Sequence, residues 1–107
     1  MKLIAAFCLL ILLVAGCNKS EQGSLLDSKI RSFSKYACAG GSVTRYAYDQ
    51  QAIYVFDDGC GTIDGGFEVT DADGNQVCYL GGFAGEMNCL GKRFDTTAKN
   101  PEVIFRK

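Results

Sequence analysis

The amino-acid sequence predicts an α+β domain: a small antiparallel β-sheet (two hairpins plus a C-terminal strand) with one N-terminal helix, stapled by disulfides. Three observations carry this reading. Leu26, Ile30 and Phe33 recur at the i, i+4, i+7 spacing of one helix face. Val43–Tyr48, Ala52–Asp57, Phe67–Thr70 and Gln76–Tyr79 are rich in β-branched and aromatic residues and come in pairs around short polar loops. Cys38, Cys60, Cys78 and Cys89 form an even set downstream of everything that reads as a leader.

The leader comes first in the chain. Lys2 precedes an apolar run, Leu3–Leu13, that is too short to remain as a membrane-spanning helix. Val14-Ala15-Gly16-Cys17 closes it, and the composition turns polar at once over residues 18–24. A branched residue, two small residues and a Cys resemble the lipobox of bacterial lipoproteins. The resemblance implies that residues 1–16 are a lipoprotein signal peptide and that Cys17 is lipidated on sulfur, becomes the new N-terminus and is acylated on its amine. The small residues suit a peptidase cleft that must admit extended backbone. An ordinary secretory signal with a chance Cys is the alternative. On the lipoprotein reading, residues 17–24 are a lipidated tether and 25–107 a small disulfide-stapled domain. Two or three acyl chains, at about 0.8 kcal/mol per buried CH₂, anchor such a chain to the membrane without any other span. Asn18 is not the Asp that retains lipoproteins at the inner membrane in enteric bacteria, so the expected location is the outer membrane of the cell envelope. The tether has only Glu21 near the lipid site, which favours the periplasmic leaflet.

The helix is expected over about 24–35, with Ser24 capping its start and Asp27 suited to the positive end of the dipole. Ala39-Gly40-Gly41-Ser42 breaks that pattern. A two-residue loop at Asp49-Gln50 sets Tyr48 opposite Gln51, Tyr46 opposite Ile53 and Thr44 opposite Val55, and on the other face Val43 opposite Phe56 and Arg45 opposite Tyr54. Large apolar groups on both faces place this hairpin at the sheet's centre, with the helix covering one side. Extending the register brings Cys38 level with residue 61, one residue from Cys60. This favours Cys38–Cys60 and leaves Cys78–Cys89, although sequence alone allows three pairings.

A glycine-rich loop follows, with Gly59, Gly61, Gly65 and Gly66. In the second hairpin, a type I turn with Gly74 in the left-handed conformation sets Val69 against Val77 and Phe67 against Tyr79. Gly81-Gly82-Phe83-Ala84-Gly85 is irregular. Pro101 ends what precedes it, and Val103-Ile104-Phe105 forms the last strand.

From Val43 onward the chain resembles a family of small Bacteroidota lipoproteins that carry a domain of unknown function. The matching features are Arg45-Tyr46-Ala47-Tyr48, Ile53-Tyr54-Val55-Phe56, Cys60 in a polar loop, Asp71-Ala72-Asp73-Gly74-Asn75 before Val77-Cys78, Gly81-Gly82-Phe83-Ala84-Gly85, Cys89 with Phe94 beyond it, and Val103-Ile104-Phe105. The resemblance covers about residues 38–107 and implies a fold and a cell-surface setting. It brings no catalytic residue, ligand or partner.

Composition narrows the function. The chain has no His, which removes a Ser-His-Asp triad, a Cys-His pair and any His-ligated metal site. Loss of Lys2 with the leader leaves 10 basic against 12 acidic residues, so there is no electrostatic footprint for nucleic acid. Asp71-x-Asp73-x-Asn75 has its Gly at the fourth place and Gly82 at the twelfth, where a calcium loop needs Gly at the sixth and an acid at the twelfth. A hairpin turn accounts for it. Gly81-Gly82-x-x-Gly85 runs toward a Cys and not into a helix, so it is a tight loop rather than a phosphate cradle. The cysteines contain no close pair of the kind that redox or zinc motifs use. Asp57 and Asp58 are adjacent, so a strand points them to opposite faces. The aromatic set Tyr46, Tyr48, Tyr54, Phe56, Phe67, Tyr79 and Phe83 reads mainly as core, with a recognition patch as the alternative. The expectation is an envelope lipoprotein with no metal or other cofactor, acting as a non-enzymatic binding or interaction module for an envelope protein or ligand. A structural or stress-exposed envelope component without a specific ligand is the second reading.

Overall fold

The helical spacing of Leu26, Ile30 and Phe33 becomes helix α1, Lys19–Tyr36, in the computed structural model, which describes residues 19–61 and 65–107. The stretch read as a signal peptide, residues 1–16, and Cys17 lie outside the described residues. Helix α1 begins earlier than the Ser24 expected from capping, so most of the stretch read as a tether is helical backbone. Lys, Ser, Glu and Gln at 19–22 are adequate helix formers, and Gly23 alone does not interrupt them.

Seven strands and one short helical turn follow: β1 Ser42–Tyr48, β2 Gln51–Asp57, β3 Gly66–Thr70, β4 Gln76–Gly81, β5 Asn88–Cys89, β6 Lys92–Arg93, α2 Phe94–Thr97 and β7 Ala98–Arg106. Five of them form one antiparallel sheet in the order β4-β3-β2-β1-β7, and β5 with β6 makes a separate small hairpin. The fold is α+β. The central hairpin has the expected register throughout, from Tyr48 opposite Gln51 to Val43 opposite Phe56.

Each face of that hairpin has its own core. On one side Phe33 of α1 and Ala37 just past its end pack on Val43 and Phe56, with Leu26, Ile30, Tyr54 and Phe105 around them. Phe33 is the pivot. It is 1% exposed and meets Phe56 and Phe105 edge to face at 5.3 and 6.1 Å. Burying a side chain of that size contributes about 1.5–3 kcal/mol. Lys29 extends the same contact along this face toward the β3–β4 edge, 3.1 Å from the Glu68 carboxylate and donating to the Gly74 carbonyl at 3.3 Å. On the opposite side Tyr48, Ile53, Val69 and Leu80 form a second core beneath Cys89.

Two strand expectations need correction. In the β3–β4 hairpin only Thr70 opposite Gln76 keeps the register that the turn dictates. Gly74 does adopt a positive φ of 87°, and Asp71 takes its N–H, as a type I turn requires. A bulge then absorbs Val77, so Val69 faces Cys78 and Phe67 faces Leu80. The bulge turns Cys78 toward the second core. The last strand, likewise, starts at Ala98 and not after Pro101. Pro101 is tolerated because β7 is an edge strand and because Asn100, at φ 56°, shifts the pairing between Arg45 and Ala47.

Candidate functional site: a cleft beside the lid

The small hairpin β5–β6 and the turn α2 act as a lid on the second core. A two-residue turn, Leu90 (φ 52°) and Gly91 (φ 77°), closes the hairpin. Three ties hold the lid down. The Cys78–Cys89 disulfide joins it to β4, across a Cα separation of 5.3 Å. The Tyr48 hydroxyl donates to the Cys89 carbonyl at 2.7 Å and lies 3.1 Å from that of Lys92. The Lys92 ammonium pairs with Asp49 at the β1–β2 turn, and the hydrogen bond and charge of Asp49 raise the Lys92 pKa above its ordinary value. Phe94 completes the seam, stacked on Tyr48 and edge-on to Tyr46 at 5.1 Å.

The lid does not reach the sheet's other end. There the floor is formed by Thr44 and Tyr46 of β1, Val55 of β2 and Leu80 of β4, leaving a cleft of 280 Å³. Met87 and Phe94 on the lid side and Phe67 of β3 wall it. Phe67 and Met87 are 37% and 42% exposed, so the rim shows apolar side chains to solvent. Ser42 and Asp57, cross-strand partners at the ends of β1 and β2, make the one polar end. One Asp57 carboxylate oxygen accepts the Gly59 N–H at 2.9 Å. Among the described residues, the carboxylate has no ion-pair partner within 4 Å.

Asp58 lies one residue past β2, and its carboxylate accepts the Cys60 N–H at 3.0 Å. Its charge reaches Tyr36 of α1, whose phenol is raised above its ordinary pKa first by burial and then by Glu68 and Asp58. The Asp71 carboxylate is taken up within its own turn, accepting the N–H groups of Asp73 and Asn75 at 3.0 Å each. No group of three or more potential metal ligands is found among the described residues. The Gly81–Gly85 stretch is a hairpin tip, closed by Gly81 with Glu86, and it carries Phe83 outward at 94% exposure.

Of the predicted site residues, Cys78 and Cys89 fix the lid over the second core and do not themselves line the cleft. Cys38 and Cys60 are bonded to each other at a different place, where the loop after α1 meets the loop after β2. There Cys38 donates to the Asp58 carbonyl at 2.8 Å, and Gly41 donates back to Cys38 at 3.0 Å. A turn, and not a simple extension of the register, brings the two cysteines together. The aromatic set divides. Tyr48 and Phe56 are core, whereas Phe67, Tyr79 and Phe83 are exposed. Met87 and Phe94, which sequence reasoning did not place at any site, belong to the cleft. The only signal for them was the spacing of Phe94 from Cys89.

These features define a small disulfide-stapled α+β domain with an apolar cleft beside its lid. Residues 32–107 match the family described as Domain of unknown function (DUF6970), and the chain belongs to that family. The match starts within α1, so the family unit takes in only the end of the helix, which carries Phe33. No curated protein and no solved structure matches the chain.

Proposed function

We propose that the chain is a non-enzymatic binding module, held at the outer membrane of the cell envelope by lipid on Cys17, and that the cleft beside the lid receives its ligand. The observation that supports the binding role is the cleft's open rim. A domain this small has little apolar surface to spare, yet Phe67 and Met87 stand at the mouth of a formed cavity instead of joining either core. The anchor rests on Val14-Ala15-Gly16-Cys17. A photoreactive phenylalanine analogue at position 67 is expected to capture a bound molecule in living cells, while the same group at position 36, on the helix side, captures none. Failure at position 67 across several growth conditions would favour a structural envelope component with no specific ligand.

A further inference from the structure

The polar end of the cleft narrows the chemistry of what enters it. We infer that the ligand is a small organic ammonium ion with a compact apolar body, the body lying in the cleft and the head group on Asp57. This rests on the cleft being the binding site. Among the described residues, Asp57 is the only carboxylate lining the cleft, and no lysine or arginine lines it. One of its oxygens is engaged by the Gly59 N–H, which orients the group and leaves the other oxygen without a hydrogen bond among the described residues. Arg106, opposite Ser42 on β7, is the cation in the same cross-strand row, and it forms no ion pair within 4 Å among the described residues.

The walls favour the same charge. Tyr46, Phe67 and Phe94 present aromatic rings, whose negative faces attract an ammonium and not a carboxylate. An anionic ligand would meet Asp57 as a like charge. A half-buried carboxylate beside apolar walls is screened less than one on an open surface. The cavity, at 280 Å³, falls just below the range of ligand sites, which start at about 300 Å³, and suits a body about the size of a single ring.

Three probes with similar bodies separate the possibilities: 2-phenylethylamine, 2-phenylethanol and phenylacetate, titrated into the full chain held in nanodiscs and followed by amide chemical shifts. The amine is expected to saturate shifts around Asp57 and Phe67 with an affinity about tenfold above the alcohol, and phenylacetate to bind weakest, because a charge-assisted hydrogen bond replaces a neutral one. Asp57→Asn should bring the amine down to the alcohol's affinity, and Phe67→Ala should weaken both. Equal binding of amine and alcohol, or an amine affinity unchanged in Asp57→Asn, overturns the ammonium assignment and keeps the cleft as a site. If no probe saturates shifts in the cleft, both the assignment and the cleft as a site for ligands of this size fall.

Discussion

The Tyr48 hydroxyl lies 2.7 Å from the Cys89 carbonyl oxygen, and both residues are only 1% exposed. One buried hydrogen bond thus joins the end of β1 to the lid, beside the disulfide that joins the lid to β4. Tyr48→Phe removes the donor and leaves the carbonyl without it, at a cost of about 1–3 kcal/mol. Hydrogen exchange should quicken at β5 and β6 well before it does in β1–β3. Uniform loss of protection across the sheet would show that the tyrosine serves the whole core and not the lid.

The two disulfides should differ in their access to reductant. Cys38 and Cys60 are exposed, whereas Cys89 is buried. A thiolate must reach a sulfur to attack it, so mild reductant should open Cys38–Cys60 first. Alkylation and peptide mapping at partial reduction reads the order directly. Paired replacement, Cys78→Ala with Cys89→Ala, should cost about 2–5 kcal/mol and release the lid. A mapped Cys60–Cys78 linkage would contradict the structure.

The central hairpin was legible in the sequence because its evidence is local. Asp49-Gln50 sets the loop length, and period-2 alternation has only one way to continue from it. The β3–β4 register was legible only at the turn, since nothing in Gln76-Val77-Cys78 announces that Val77 is the residue to be bulged out. The first half of β7 was hidden by Pro101, which reads as a break unless the strand is known to lie at an edge. The lid was hidden for a different reason: its two-residue turn uses Leu90 at positive φ, where Asn or Asp is the usual signal. The cleft depends on where the lid stops, which is a matter of long-range packing that no sequence window contains.

Phe33 should be the most costly single truncation on the helix side. It touches Phe56 and Phe105 across the sheet and Tyr36 within α1. Phe33→Ala is expected to cost about 3–5 kcal/mol, a large part of the roughly 5–15 kcal/mol available to a small domain. Chemical denaturation measures it. A loss below 1 kcal/mol would mean that α1 contributes little to the folded unit.

Gly59 is the backbone position least open to change. Its φ is +70°, and a Cβ there would sit 2.5 Å from the Gly41 backbone nitrogen. Backbone cannot yield as a side chain can, so Gly59→Ala should separate the loops that Cys38 and Cys60 join. Slower oxidation of that pair during refolding, measured by quenched alkylation, is the expected result. Wild-type kinetics would show that the two loops can move apart freely.

The proposed lipid anchor has a direct test. Metabolic labelling with a palmitate analogue is expected to tag the wild-type chain, and Cys17→Ser should abolish both the tag and retention in the membrane fraction. An unlabelled, soluble wild-type protein would refute the anchor and leave the fold untouched.

The interruption of β7 by Asn100 and Pro101 bears on how copies of this domain behave when crowded. A flat outer strand is a template on which further chains can add, each presenting a new edge to the next, until fibres form. Here Pro101 offers no N–H, and the register shifts twice along the strand, near Asn100 and again near Ile104. Val103 and Ile104, at 47% and 40% exposed, would otherwise make this an adhesive border. Restoring regularity with Pro101→Val should therefore speed thioflavin-positive fibre growth in concentrated protein. What looks like a defect in the outermost strand is a stop against polymerisation.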